Sequence, residues 1–187
     1  MISKKISVIG PQCAGKTEVV KIIAGLHDSF RIIKFADPIY GALEALKKPK
    51  HRAFMQSFGE MAKIHFGEHV FVELFKEAVR EAEELNAWAG GIDILLCDDV
   101  RRDYEAEAAF ECGFVLIYVD ADREIRKRRA EVQGLEFIEN HISETEIPNL
   151  KKYAEVEILN ESGNIEDLRK SVMSALSIIA ADVLPLS

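Results

Sequence analysis

The eight residues from Gly10 to Thr17, "GPQCAGKT", constrain this chain more than any other stretch. They follow the apolar run "ISVIG" and precede "KTEVVKIIAGL", whose apolar positions recur at helical spacing. A turn of the form G-x-x-x-x-G-K-[ST] between a strand and a helix is a phosphate-binding loop. Gly10 and Gly15 allow backbone angles that aim successive N–H groups at one anion. Lys16 supplies charge near a transferred phosphate, the Thr17 hydroxyl can ligate Mg²⁺, and the helix contributes its positive dipole end. The expected ligand is a nucleoside triphosphate, ATP with Mg²⁺, contacted by Gly10, Cys13, Ala14, Gly15, Lys16, Thr17 and Glu18. Cys13 either fills a loop position or offers a thiolate favoured by the same N–H dipoles.

Short apolar runs alternate with longer periodic segments along the rest of the chain. The runs are 6–10, 31–35, 92–97, 114–119 and 156–160, most of them apolar on both alternating faces. That pattern suits a parallel sheet covered on both sides. Segments 71–85 and 165–183 carry apolar residues at three- and four-residue steps. The order predicts an α/β fold with three layers, α/β/α, around a five-stranded, mainly parallel sheet. A single domain is expected, with core sheet segments 1–36, 91–122 and 154–187, a helical insert 37–90 and a lid 123–153. The insert has room for about three helices, because more than fifty residues separate the second and third strand runs.

The third run ends in "DDVRR", which puts Asp98 and Asp99 at the C-terminal edge of the sheet beside the phosphate loop. Ligands bind at that edge in such folds, and either carboxylate suits Mg²⁺. Arg101 is a fork suited to a substrate phosphate. A guanine-reading N-K-x-D is absent, as is an L-S-G-G-Q-like stretch, so a switch GTPase and an ABC-type ATPase are disfavoured. Arg123, Arg126, Arg128 and Arg129 head the expected lid, where Arg126 with Arg129, or with Arg123, can share one helix face over the phosphates.

A formal charge of -8 over 187 residues repels nucleic-acid backbones and argues against a polynucleotide partner. No apolar run is long enough to cross a bilayer, so no membrane association is expected. Three scattered cysteines and an opening that runs straight into a strand suit a cytoplasmic protein. His65 and His69 are one helical turn apart, but no third ligand stands nearby at a familiar spacing, which disfavours zinc. Phe54, Met55, Phe58 and Met61 read as the core of the insert.

Several segments, taken in order, resemble the phage-type deoxynucleoside monophosphate kinases within the P-loop nucleoside-monophosphate-kinase group. Besides the phosphate loop, "FADPIYGAL" resembles the family's F-A-x-P-[IL]-K segment, and "RAFMQSFGEMAK" its R-x-x-[LM]-Q-x-x-G helix. "DDVRRDYEAE" resembles its D-V-R-F-x-N-E motif, and "HISETEI" its lid segment ahead of a last strand ending in Asn160. The resemblance implies a P-loop kinase fold and transfer of the ATP γ-phosphoryl group to a (deoxy)nucleoside 5'-monophosphate. It also implies that Arg52 and Arg101 hold the acceptor phosphate; with Lys16 of the loop, and with Arg126 and Arg129 chosen by their helical spacing, Arg101 is expected to serve the transfer. Gln56 would touch the nucleoside, Asp37 would line its pocket, and Glu105 would orient Arg101. Asp99 is preferred over Asp98 beside the metal, while His141 and Glu144 would contact either substrate from the lid. Such kinases are monomers or homodimers. Tyr40, where the family often has Lys, and Arg102-Asp103-Tyr104, in place of F-x-N, leave the acceptor open. A phosphomevalonate or dephospho-coenzyme A type of kinase therefore stays as one alternative, and a nucleotide-dependent switch without phosphotransfer as another.

Overall fold

The computed structural model describes residues 4–137 and 145–183. Its strands are β1 (Lys4–Ile9), β2 (Phe30–Ile32), β3 (Ile94–Cys97), β4 (Val115–Asp120) and β5 (Ala154–Leu159). Its helices are α1 (Lys16–Ala24), α2 (Asp37–Ala45), α3 (Arg52–Phe66), α4 (Val70–Ala89), α5 (Asp103–Glu111), α6 (Arg123–Val132) and α7 (Ile165–Val183). A 3₁₀ helix, Ile147–Tyr153, leads into β5.

The strands form one sheet in the order β2-β3-β1-β4-β5, and all four pairings are parallel. Side chains alternate across it with period two. Ile6, Val8, Ile94, Leu96, Ile117 and Val119 face α1 and α7. Ile9, Leu95, Cys97, Leu116 and Tyr118 face α4, α5 and the 3₁₀ helix. Burial on both sides is why these strands read as continuous apolar runs. The chain leaves β1 toward one edge and β3 toward the other, so their C-terminal ends flank a crevice where the strand order reverses.

Three helices fill the insert. α4 runs beyond its periodic segment to Gly90, where Asn86 Oδ1 accepts a hydrogen bond from Ile92 N at 2.8 Å and ties the helix end to the approach of β3. β2 is shorter than its apolar run. After Ile33, the Asp99 carboxylate accepts from Phe35 N (3.1 Å) and Ala36 N (3.0 Å), drawing the chain off the ladder and over the end of β3. Phe54, Met55 and Phe58 are half-buried and Met61 is exposed, so they are not the core expected of them. One face of α3 borders a cavity instead. Ile147 and Leu150, in the stretch expected to form a lid, are buried with Phe114 and Tyr118 in the core. Among the described residues, no helix is long and apolar enough to cross a membrane.

Candidate functional site

The phosphate loop joins β1 to α1 with three residues at positive φ: Gly10 (145°), Cys13 (60°) and Gly15 (107°). Gly10 has no substitute, because a Cβ there would lie 2.0 Å from the Val119 carbonyl oxygen. Gly15 caps α1 in the left-handed conformation, which turns the helix N-terminus into the crevice. Lys16 Nζ donates back to the carbonyls of Gly10 (2.7 Å) and Pro11 (2.9 Å), so its ammonium lies across the loop. Thr17 and Glu18 line the cavity in front, and Glu18 also pairs with Lys21 at 2.8 Å.

That cavity has a volume of 670 Å³, and a second one of 540 Å³ adjoins it. Gln12, Tyr40, Asp99 and Arg101 line both, forming a shared wall. The second cavity is apolar at Phe35, Ile39, Met55 and Phe71, and its charged lining is Lys50, Lys63, Arg101 and Arg102 with Glu60, Asp99 and Glu105. Gln56 and Gly59 of α3 face it as well. An anion with an apolar body fits such a lining. Lys50 lies over the Tyr40 ring at 4.1 Å, bringing one more cation to the wall.

The carboxylates divide their work. Asp99 spends both oxygens on the Phe35 and Ala36 amides; burial pushes its carboxyl up, and those two hydrogen bonds oppose the rise. Asp98 lines the first cavity and pairs with Lys34 at 2.6 Å. The Asp98 oxygens, unlike those of Asp99, are not committed to the backbone. Burial works against the charge on Lys34, but Asp98 outweighs it and holds the amine above its ordinary value. Glu105 Oε2 accepts from Arg101 N (2.7 Å) and Arg102 N (3.2 Å). It thus orients the backbone that carries Arg101. Burial raises the Glu105 carboxyl to about 7 despite those bonds.

The lid arginines part company. Arg129 donates to the carbonyls of Cys13 and Ala14 and lines the first cavity. Arg126 donates to Ala121 O at 3.0 Å and sits 5.6 Å from the Phe137 ring, lining neither cavity. Arg123 shares that ring at 6.0 Å, so the face formed is Arg123 with Arg126. Asp37 starts α2 with its carboxylate accepting from Lys34 N at 2.8 Å, and it too lines neither cavity. Arg52 begins α3, but its side chain, like His141 and Glu144, lies outside the described residues. His65 and His69 fall on either side of the break at Gly67, and His69 packs edge-on against Tyr104.

Lys34 and Asn160 are among the residues at the site that went unnoticed as site residues in the sequence. Lys34 interrupts the apolar run "RIIKF" near its C-terminal end, the same signal that marks Asp98 after "IDILLC". Asn160 follows the last strand and reaches the phosphate loop, although it is distant in sequence.

The sequence matches no family model, and no curated protein matches it. Solved structures do. Shikimate kinase from Acinetobacter baumannii is similar with a TM-score of 0.53 at 16% identity, over 97% of this chain and 96% of that one. A gluconokinase from Sinorhizobium meliloti 1021 gives 0.55 at 10% identity, over 97% and 96%. TT1252 from Thermus thermophilus gives 0.56 at 16%, over 93% and 96%. The chain shares the fold of these structures. The likeness covers the sheet and its flanking helices, and the side chains in the two cavities belong to this chain.

Proposed function

We propose that the chain transfers the γ-phosphoryl group of ATP to the phosphate of a (deoxy)nucleoside 5'-monophosphate, giving the diphosphate. The observation that carries this reading is the shared wall: a phosphate-loop cavity and a second cavity lined by Lys50, Lys63 and Arg102 meet at Arg101. An acceptor phosphate oxygen attacks the γ-phosphorus, and the bond to the β,γ-bridging oxygen breaks with its electron pair leaving on ADP. The acceptor oxygen is already anionic, so no general base is required, and positioning with charge neutralisation supplies the catalysis. Arg101 sits where both substrates bring negative charge. Lys16 and the α1 N-terminus serve the donor side. Lys50, Lys63 and Arg102 serve the acceptor, and the apolar wall takes its base. Thr17 and Asp98 are oxygen donors on one cavity wall and fit Mg²⁺, which would neutralise charge on the donor phosphates.

A second reading keeps the donor and changes the acceptor. Tyr40 favours it, since it places a phenol on the shared wall where the resembled family often has a lysine. The test is ADP release from Mg-ATP with the deoxynucleoside and ribonucleoside monophosphates, phosphomevalonate and dephospho-coenzyme A. Stimulation by a nucleotide, lost in Lys16→Ala, is the expected result. Stimulation only by a non-nucleotide moves the acceptor. A flat response to every compound replaces the kinase with a nucleotide-dependent switch.

A further inference from the structure

The phosphate loop is held by donors from the far half of the chain. Asn160, one residue past β5 and only 8% exposed, donates from Nδ2 to the Ala14 carbonyl at 2.8 Å. Arg129 of α6 donates from one guanidinium nitrogen to the Cys13 and Ala14 carbonyls, at 3.3 Å each. Its other nitrogen donates to the Asn160 carbonyl at 2.8 Å. Asn160 is itself anchored, because its N–H donates to Asp120 O at 2.8 Å at the end of β4.

A trans peptide points its C=O and N–H in opposite directions. Holding the Ala14 carbonyl toward Asn160 therefore turns the Gly15 N–H away from Asn160, and Gly15, Arg129 and Asn160 all line the first cavity. Gly15 and Asn160 also fit each other sterically: a Cβ on Gly15 would lie 2.3 Å from Asn160 Nδ2. The loop glycine is thus needed for its φ of 107° and for the space that the asparagine amide fills. Arg129 meets three backbone carbonyls and, among the described residues, no carboxylate, so its donors are spent on shaping the loop.

We propose that Asn160 is a positioning residue of the nucleotide site. With Arg129 it clamps the Cys13 and Ala14 carbonyls and keeps the Gly15 amide aimed at the donor phosphates before nucleotide arrives. The proposal rests on the first cavity being the nucleotide site, and is independent of which acceptor fills the second. It also explains the choice of amide at Asn160. An aspartate would set a carboxylate against the Ala14 carbonyl, two acceptors with no proton between them.

The test is Mg-ADP binding to the full chain by titration calorimetry, with thermal unfolding of the same unliganded samples. Asn160→Ala is expected to weaken ADP binding about tenfold, the scale of one lost buried hydrogen bond, and Asn160→Asp more strongly. Arg129→Lys, which keeps the charge and loses the fork, is expected to weaken ADP binding about fivefold. The KM for the stimulating acceptor should stay within about twofold in all three, because the clamp shapes the donor loop alone. If Asn160→Ala does not fold, Arg129→Lys decides. Wild-type affinity for ADP in the folded variants overturns the clamp while leaving the nucleotide site standing, and so does an equal rise in donor and acceptor KM. Failure of the wild-type chain to bind ADP overturns the nucleotide site and the clamp together.

Discussion

Lys34 Nζ and Asp98 Oδ1 lie 2.6 Å apart on the wall of the first cavity, joining the chain just past β2 to the end of β3. Next to Asp98, Asp99 is turned inward onto two backbone amides. Adjacent carboxylates of identical chemistry therefore hold different partners: Asp98 takes a lysine and Asp99 two backbone amides, although both border the first cavity.

This division predicts opposite phenotypes. Asp98→Asn should lower turnover about 100-fold, with a higher magnesium requirement and little change in Tm, since a carboxylate beside donor phosphates acts electrostatically. Asp99→Asn should lower stability by roughly 2–3 kcal/mol, because a carboxamide offers one acceptor where two amides need partners. Magnesium titrations of the rate together with thermal melts separate the two. A reversal of the phenotypes would return the metal-side role to Asp99.

Arg101 lines both cavities. Arg101→Ala should cut kcat/KM for the acceptor about 100-fold while the Kd for ADP moves by less than about twofold. Steady-state kinetics with each substrate varied in turn provides the check. An equal loss on the donor side would place Arg101 with the phosphate loop.

Glu105 gives stability a pH dependence of known sign. Burial raises its carboxyl to about 7 from an ordinary 4.5, so between those values the folded state binds more protons than the unfolded state. Its contribution is present in full below about pH 4.5 and is lost as pH rises through about 7, an effect of roughly 3 kcal/mol at most. The difference in Tm between wild type and Glu105→Gln, followed from pH 5 to pH 8, should shift against the wild type. A constant difference would show that Glu105 titrates normally.

Gly59 stands in the interior of α3 and lines the second cavity. A Cβ there would make ordinary contacts with Ile39 (3.6 Å) and Phe71 (4.0 Å). Gly59→Ala should therefore stabilise the helix by about 0.5–1 kcal/mol. It should also raise the acceptor KM a few-fold by taking cavity space, and Gly59→Val should raise it further. Tm and acceptor KM rising together is the expected signature; an unchanged KM would put the acceptor elsewhere.

Local chemistry made much of this legible in advance. The phosphate loop could be read because its glycines, lysine and threonine act within eight contiguous residues. The strands could be read because burial on both faces leaves continuous apolar runs. The helix over 165–183 could be read because its apolar spacing is regular, and α7 has those bounds. The cavity-facing Met55 of α3 could not, since an apolar side chain facing a cavity and one facing a core have the same periodicity. Nor could the parting of Arg126 from Arg129, because helical spacing makes two arginines neighbours without saying which carbonyl each will find.

The sequence by itself determined a strand–loop–helix phosphate cradle in an α/β sheet with a helical insert, because those features follow from residues near one another in the chain. Only the tertiary structure decided that Lys34 meets Asp98, that Asp99 serves the backbone, and that Asn160 reaches Ala14 across 146 positions. Such pairings depend on strand order, and strand order places residues side by side that no local spacing connects.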